Sequence, residues 1–259
     1  MDQTITQDKT LKWQVLNIDK ENKTIDIVSA VPTSNIVYFG GALGYNNGVY
    51  LLNDMCEKLY SNTSKGIKAR SINLEDMEKH LTDAGFTARN GFSDIVAYGK
   101  TKTYTSEKQY PCAYGSQLGA GINITSITQP NIIKTVDPYK ESERIYPTPT
   151  VLTSDTAGSN GLIVTQTYYG IEINEANYGA AAAILANSEY YWVASRCAYV
   201  RSSNVGFGLR SAHTSMYGYL IFYSSGGSDK RSRCLRPYAS LKYSSLTGKK
   251  DSTGAWMTK

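Results

Sequence analysis

Two runs near the N-terminus, Leu11–Ile18 and Thr24–Ala30, alternate apolar with polar residues. A period of two is that of a strand with one buried face. Split by Asp19-Lys-Glu-Asn-Lys23, the pair therefore reads as a β-hairpin with Trp13, Val15, Ile25 and Ile27 among its packing positions. A lone hairpin is barely stable in water, so it must join a larger sheet. No other strand pattern lies near it in sequence. The expected partner is the last clear strand, Leu235–Lys242, which would bring the two ends of the domain together.

The pattern then becomes helical. Asn46-Asn47 can cap a helix from Gly48 to Tyr60, on which Val49, Leu52, Met55, Cys56 and Leu59 form one apolar stripe. A shorter helix follows Asn73, over Leu74–Leu81, with an Asn–Asp capping offset and Gly85 as its stop. From 85 to 160 the periodicity fails and Thr, Ser, Tyr, Gly and Pro dominate, so an irregular insert of short strands and ordered loops is expected there. Beyond it, Leu162–Tyr168, Tyr190–Ser195, Gly206–Ser211, Tyr217–Tyr223 and Leu235–Lys242 read as strands. Ala180–Leu185 fits either a strand or a helical turn. The fold class is α+β, with an N-terminal hairpin, two early helices and mostly antiparallel β structure in the C-terminal half. One domain is expected over 9–245, followed by a polar tail over 246–259.

Common catalytic chemistry needs groups that are scarce here. The two histidines, His80 and His213, belong to no HExxH, HxH or Cys-His cluster. Cys56, Cys112, Cys197 and Cys234 form no CxxC pair and lack zinc spacing; four separate thiols, or a Cys197–Cys234 bridge, both remain open. Gly119-Ala-Gly121 lacks the rest of a dinucleotide fingerprint, and no phosphate-binding GxxxxGK[ST] occurs. Gln129-Pro-Asn131 matches the sugar-reading tripeptide of calcium-dependent lectins, but the Trp-Asn-Asp that should follow is missing. No cofactor and no metal are expected. Nor is a membrane or nucleic-acid partner: no run approaches the roughly 18 apolar residues of a span, and 27 basic against 22 acidic residues are spread too thinly for a basic stripe. The N-terminus has no apolar core of a signal peptide, which implies synthesis in a cytosol.

Where the charge does concentrate is between Arg196 and Arg236, with six Arg and one Lys against Asp229 alone. Ser, Arg, Tyr and Gly fill 23 of these 41 positions. Tyr gives large contact area at low entropic loss, Arg gives planar hydrogen-bonding forks, and Ser and Gly adapt, which is the alphabet of antibody combining sites. The whole chain leans the same way, with 21 Tyr against 5 Phe. Val205, Phe207, Leu209, Ile221, Phe222 and Leu235 can anchor strands beneath such a surface.

Tyr191-Trp-Val-Ala-Ser-Arg196, Phe207-Gly-Leu-Arg210 and Cys234-Leu-Arg-Pro237 with Ser240-Leu241 resemble the C-terminal framework of phage-associated variable proteins diversified by retroelements. Weaker likeness extends to Gly44-Tyr-Asn-Asn-Gly48, Leu51-Leu-Asn-Asp54, Ala69-Arg-Ser-Ile-Asn73 and Leu162–Tyr168. The resemblance implies a C-type-lectin-like fold whose segment 196–236 is a variable display surface. In that family adenines of a repeat are randomised, so that Asn codons become Tyr, Ser, Asp, His, Arg and similar residues. The positions here that fit are Tyr199, Arg201, Ser203, Asn204, Ser211, His213, Tyr217, Tyr219, Tyr223, Ser225, Asp229, Arg231 and Arg233.

By that resemblance the chain is a non-enzymatic receptor-binding protein of a phage virion, facing a bacterial surface protein or glycan and other virion proteins, with a homo-oligomer such as a trimer giving avidity. Two alternatives stand beside it. One is a structural virion or surface component whose C-terminal segment binds nothing specific. The other is an enzyme of the formylglycine-generating type, whose reactive cysteine pair or copper site would have to involve Cys197 and Cys234.

Overall fold

The computed structural model describes residues 5–90, 101–109, 151–156, 171–200, 205–223, 229–250 and 256–258, with the backbone alone at 101–109, 151–156, 256–258 and several positions of 41–47, 196–207 and 217–223. Strand β1 (Trp13–Asp19) pairs antiparallel with β2 (Thr24–Ser29). Asp19 closes the turn, accepting from the backbone and side-chain amides of Asn22, and Lys23 takes the left-handed conformation at φ 54°. The hairpin is as expected, but its buried face is not. A bulge between Val15 and Asn17 turns Leu16 inward and leaves Val15 exposed, while Val28 joins Ile25 as a buried position of β2 and Ile27 is only half-buried. Trp13 is half-buried and meets Tyr60 edge-on.

After β3 (Ile36–Gly40) comes helix α1 (Gly41–Tyr60), which begins seven residues before Gly48 and has no side-chain cap. Packing replaces the cap. A Cβ on Gly48 would stand 2.3 Å from Leu209 Cδ1, and one on Gly44 would stand 3.1 Å from both Phe39 Cβ and Ile221 Cδ1, so these glycines let the helix backbone lie directly on the strands. Of the predicted stripe, Val49, Leu52 and Cys56 are buried, and Met55 and Leu59 partly so.

Strand β4 (Lys68–Ser71) precedes α2 (Leu74–Glu78), where Asn73 and Asp76 form the reciprocal capping box that their spacing promised. The helix stops at Glu78, three residues short of Leu81, and α3 (Asp83–Asn90) starts almost at once. Gly85 is not a stop. It sits inside α3, where a Cβ would come within 2.2 Å of the Asn177 carbonyl oxygen of the short helix α4 (Glu175–Tyr178). The stretch from 85 to 160 is thus partly regular: it holds most of α3 and an antiparallel pair, β5 (Thr101–Gln109) with β6 (Val151–Thr156). The strand expected at Leu162–Tyr168 lies outside the described residues. Ala182–Leu185 is helical, α5, entered through a 3-10 turn at Gly179–Ala181.

The C-terminal strands are β7 (Tyr191–Val200), β8 (Val205–Ala212), β9 (Met216–Tyr223), β10 (Lys230–Cys234) and β11 (Pro237–Lys242). One sheet runs β3-β10-β7-β8-β9, antiparallel except for β10 beside β7. The other runs β1-β2-β11-β4, so the N-terminal hairpin does pair with the last strand of the domain, Tyr238 facing Val28 and Leu241 facing Ile25. The tail is not featureless: β12 (Leu246–Lys250) pairs with β13 (Trp256–Thr258). The chain is therefore a mixed α+β fold, mostly antiparallel, with two main sheets and few helices.

Two cores flank the five-stranded sheet. On one face α1 presses Val49, Leu52 and Cys56 onto Val37, Phe39, Trp192, Ala194, Leu209, Ile221 and Leu235. The other face, through Tyr191, Val193, Ala212 and Met216, meets α2, α5 and the four-stranded sheet with Leu16, Val28 and Tyr238. Strand β7 is consequently buried on both sides from Tyr191 to Ser195, which explains its unbroken apolar run.

Candidate functional site

The framework under the segment 196–236 is built from buried side chains with satisfied polar ends. Trp192 donates from Nε1 to the Val37 carbonyl at 2.9 Å and lies edge-on to Phe39 at 5.3 Å. Arg236, fully buried, donates to the carbonyls of Ser29, Leu185 and Ile184 and covers the ring of Tyr191. It ties β2, α5 and β7 at one point. Leu209, Ile221 and Leu235 are completely buried, as pegs beneath a surface must be.

Of the thirteen predicted contact positions, five can be placed with their side chains. By register Arg231 and Arg233 lie opposite Phe39 and Val37, and Ser211 lies opposite Trp192, so all three belong to the sheet face that carries α1. Ser211 is a correction: it has no exposure, and belongs to the framework rather than to a contact surface. Its residue type fitted a variable position, but both faces of the sheet are packed there. Arg231 is exposed and pairs with Asp229 at 2.9 Å, so these two positions partly neutralise one another.

His213 is also held more tightly than a free contact residue would be. Its Nε2 is 2.8 Å from the Ser188 carbonyl oxygen, its Nδ1 is 3.1 Å from Thr214 Oγ1, and its ring stacks on Tyr190 at 4.4 Å. On the Tyr190 ring the guanidinium of Arg233 also rests, 4.5 Å from the centroid. Residues from β10 and from the turn after β8 thus both meet the Tyr190 ring, on the approach to β7.

Backbone register places the remaining strand positions: Tyr199 and Tyr223 both face Gly206, Tyr217 faces Ser211 and Tyr219 faces Leu209. Their side chains, and Arg201, Ser203, Asn204 and Ser225, lie outside the described residues. Tyr190, Tyr38 and Lys230 were missed by the sequence reading. Tyr190 precedes the segment and Tyr38 comes from β3, on the sheet's other face, where the Lys230 ammonium lies 4.7 Å above its ring. Nothing in a local pattern links residues 38 and 230; only the β3–β10 ladder does.

Beneath β8 is a buried polar cluster. Glu78 and Arg89 pair through both carboxylate oxygens, and Tyr178 and Arg210 lie close by. Burial lowers the Arg210 pKa from its ordinary value and raises that of the Tyr178 hydroxyl. Burial likewise pushes the thiols of Cys56 and Cys234 upward, away from nucleophilic thiolates. Cys56, Cys197 and Cys234 are all unbridged, so the Cys197–Cys234 disulfide does not form here. Among the described residues no group of three or more His, Cys, Asp or Glu is arranged to hold a metal ion, and no helix is long and apolar enough to cross a membrane. Comparison with known proteins adds nothing to this geometry: no family model matches the chain, and neither does any curated protein or solved structure.

Proposed function

We propose that the chain is a non-enzymatic ligand-binding protein with a C-type-lectin-like fold, of the retroelement-diversified kind, serving as a host-attachment component of a phage virion. The observation that carries the reading is the division of labour within the segment 196–236. Leu209, Ile221 and Leu235 are fully buried and fix the strands, whereas Asp229 and Arg231 of the same segment reach solvent. The closing of the N-terminal hairpin on β11 supports the fold. Variation at outward positions on such a scaffold changes affinity while leaving the core intact. The partner is a protein or glycan of the bacterial surface.

The test replaces Tyr199, Arg201, Tyr217, Tyr219, Tyr223 and Arg231 together by Ser. Aromatic and Arg anchors at interface hot spots carry about 2 kcal/mol or more each, so adsorption to a susceptible cell should disappear while the melting curve is kept. A variant that melts normally and still adsorbs removes this surface as the binding site.

A further inference from the structure

We infer that two oppositely charged surfaces, at opposite ends of β11, dock one copy of this chain onto the next, head to tail. The first lies on α3 and α4, where Asp83, Glu172 and Glu175 are exposed. Thr82, just before Asp83, holds the two helices together by donating to the carbonyls of Ala176 and Asn177. From 171 to 190 the chain has no Lys, Arg or His, and Arg89 of α3 is buried against Glu78. Phe86 stands one turn on from Asp83 with 39% of its surface exposed. The second surface lies where the β1–β2 turn meets the end of β11. Thr24 faces both Asp19 and Lys242, the Tyr243 amide donates to the Lys23 carbonyl, and Ser245 Oγ reaches the Lys65 carbonyl at 3.5 Å. Lys20, Lys23, Lys65 and Lys242 are thereby gathered, all exposed. Of the turn's own carboxylates Asp19 is held by Asn22 and Glu21 is the other, so the lysines stay in excess. Ile18, 53% exposed, is the apolar member here.

Among the described residues, none of these three carboxylates and four ammonium groups is in an ion pair. Nor can they meet within one chain. Arg236, before the first residue of β11, reaches the carbonyls of Ile184 and Leu185 in α5, which follows α4 through a 3-10 turn, whereas Lys242 closes the strand about 17 Å further along. A second copy supplies each surface with its complement: the carboxylates around Phe86 meet the ammonium groups around Ile18. An apolar centre inside a charged rim is the build of a protein interface. Because the two surfaces differ, the contact is heterologous, and each copy keeps one end of either sign for the next. Neither surface falls in the segment 196–236, so the contact is independent of whatever that segment binds.

Sedimentation velocity of the full chain at rising concentration should show growth beyond the monomer at about 0.05 M salt, and at least about tenfold weaker association at about 0.5 M, where exposed charges are screened. Lys65→Glu with Lys242→Glu, and separately Asp83→Lys with Glu175→Lys, should each weaken association about tenfold or more. An equimolar mixture of the two variants should recover it, since ends of opposite sign then face each other again. Ile18→Thr, which keeps every charge, should weaken it as well. Thermal melts establish that each variant is folded. A parent chain that stays monomeric at low salt, or folded reversal variants that associate as the parent does, would overturn the proposal. So would a mixture no stronger than its components, which would assign the lysines to an anionic partner other than this chain.

Discussion

Arg236 lies with its guanidinium carbon 4.5 Å over the ring centre of Tyr191, and the Tyr191 hydroxyl and Arg236 Nη1 donate to the same acceptor, the Leu185 carbonyl, at 2.8 and 2.9 Å. Replacing Arg236 by Met keeps much of the volume but takes their donor from the carbonyls of Ser29 and Ile184 and leaves that of Leu185 with the Tyr191 hydroxyl alone. Unmet buried acceptors cost about 1–3 kcal/mol each, so equilibrium urea unfolding should show a loss of at least about 2 kcal/mol. A loss within error would mean that the junction is not rigid.

Trp192→Ala removes the largest side chain of the α1-facing core. Truncating a buried aromatic of this kind costs about 3–5 kcal/mol, whereas Arg231→Ser at the surface should stay within about 0.5 kcal/mol. Thermal melts of the two proteins side by side measure the contrast. Equal losses would contradict the separation of a buried framework from the exposed positions of the segment 196–236.

Gly48→Val should destabilise through overpacking by about 1–3 kcal/mol, because Leu209 is fully buried and has nowhere to retreat. The rescue is specific. Leu209→Ala in the same chain relieves the clash, so the double variant should be more stable than the sum of the two single losses predicts.

Acid sensitivity should centre on Asp26. Burial raises its pKa, but hydrogen bonds with Asn17, Tyr238 and Lys79 outweigh this, and the net shift is downward from 3.8. A depressed carboxylate contributes stability above its unfolded pKa and loses it as the pH falls through the lower, folded value. Melting temperature should therefore drop as the pH falls below about 4, and Asp26→Asn should flatten that limb while lowering stability at neutral pH. An Asp26→Asn protein with an unchanged acid limb would assign the effect elsewhere.

How much of this was legible depended on whether the determining contacts were local. The hairpin, the Asn73–Asp76 capping box and the strand around Trp192 follow from neighbours in sequence, and they formed. The start of α1 was misplaced because its first turns have no cap and rest on Phe39, Leu209 and Ile221, residues supplied largely by strands far along the chain. Gly85 was misread for the same reason, since its neighbour is Asn177. Val15 and Leu16 exchanged places because a single bulge resets the phase of a strand. In the segment 196–236, Ser211 and His213 are of the residue types that the resemblance assigns to a variable surface, yet one is sealed beneath packing on both sheet faces and the other is clamped by Ser188 and Tyr190. Residue type marked the segment; only strand register could sort it.

The interior place of β11, between β2 and β4, bears on biosynthesis. A growing chain cannot complete that sheet until residues near 242 have left the ribosome, so β2 and β4 wait with unpaired edges through the translation of the whole segment 196–236. Any stop or frameshift within that segment deletes the strand that unites them, and the product is left with open β edges for proteases and chaperones to recognise. The topology thus acts as a reading-frame check: the segment 196–236 ends up in a closed sheet only when the chain has been translated intact past its far end.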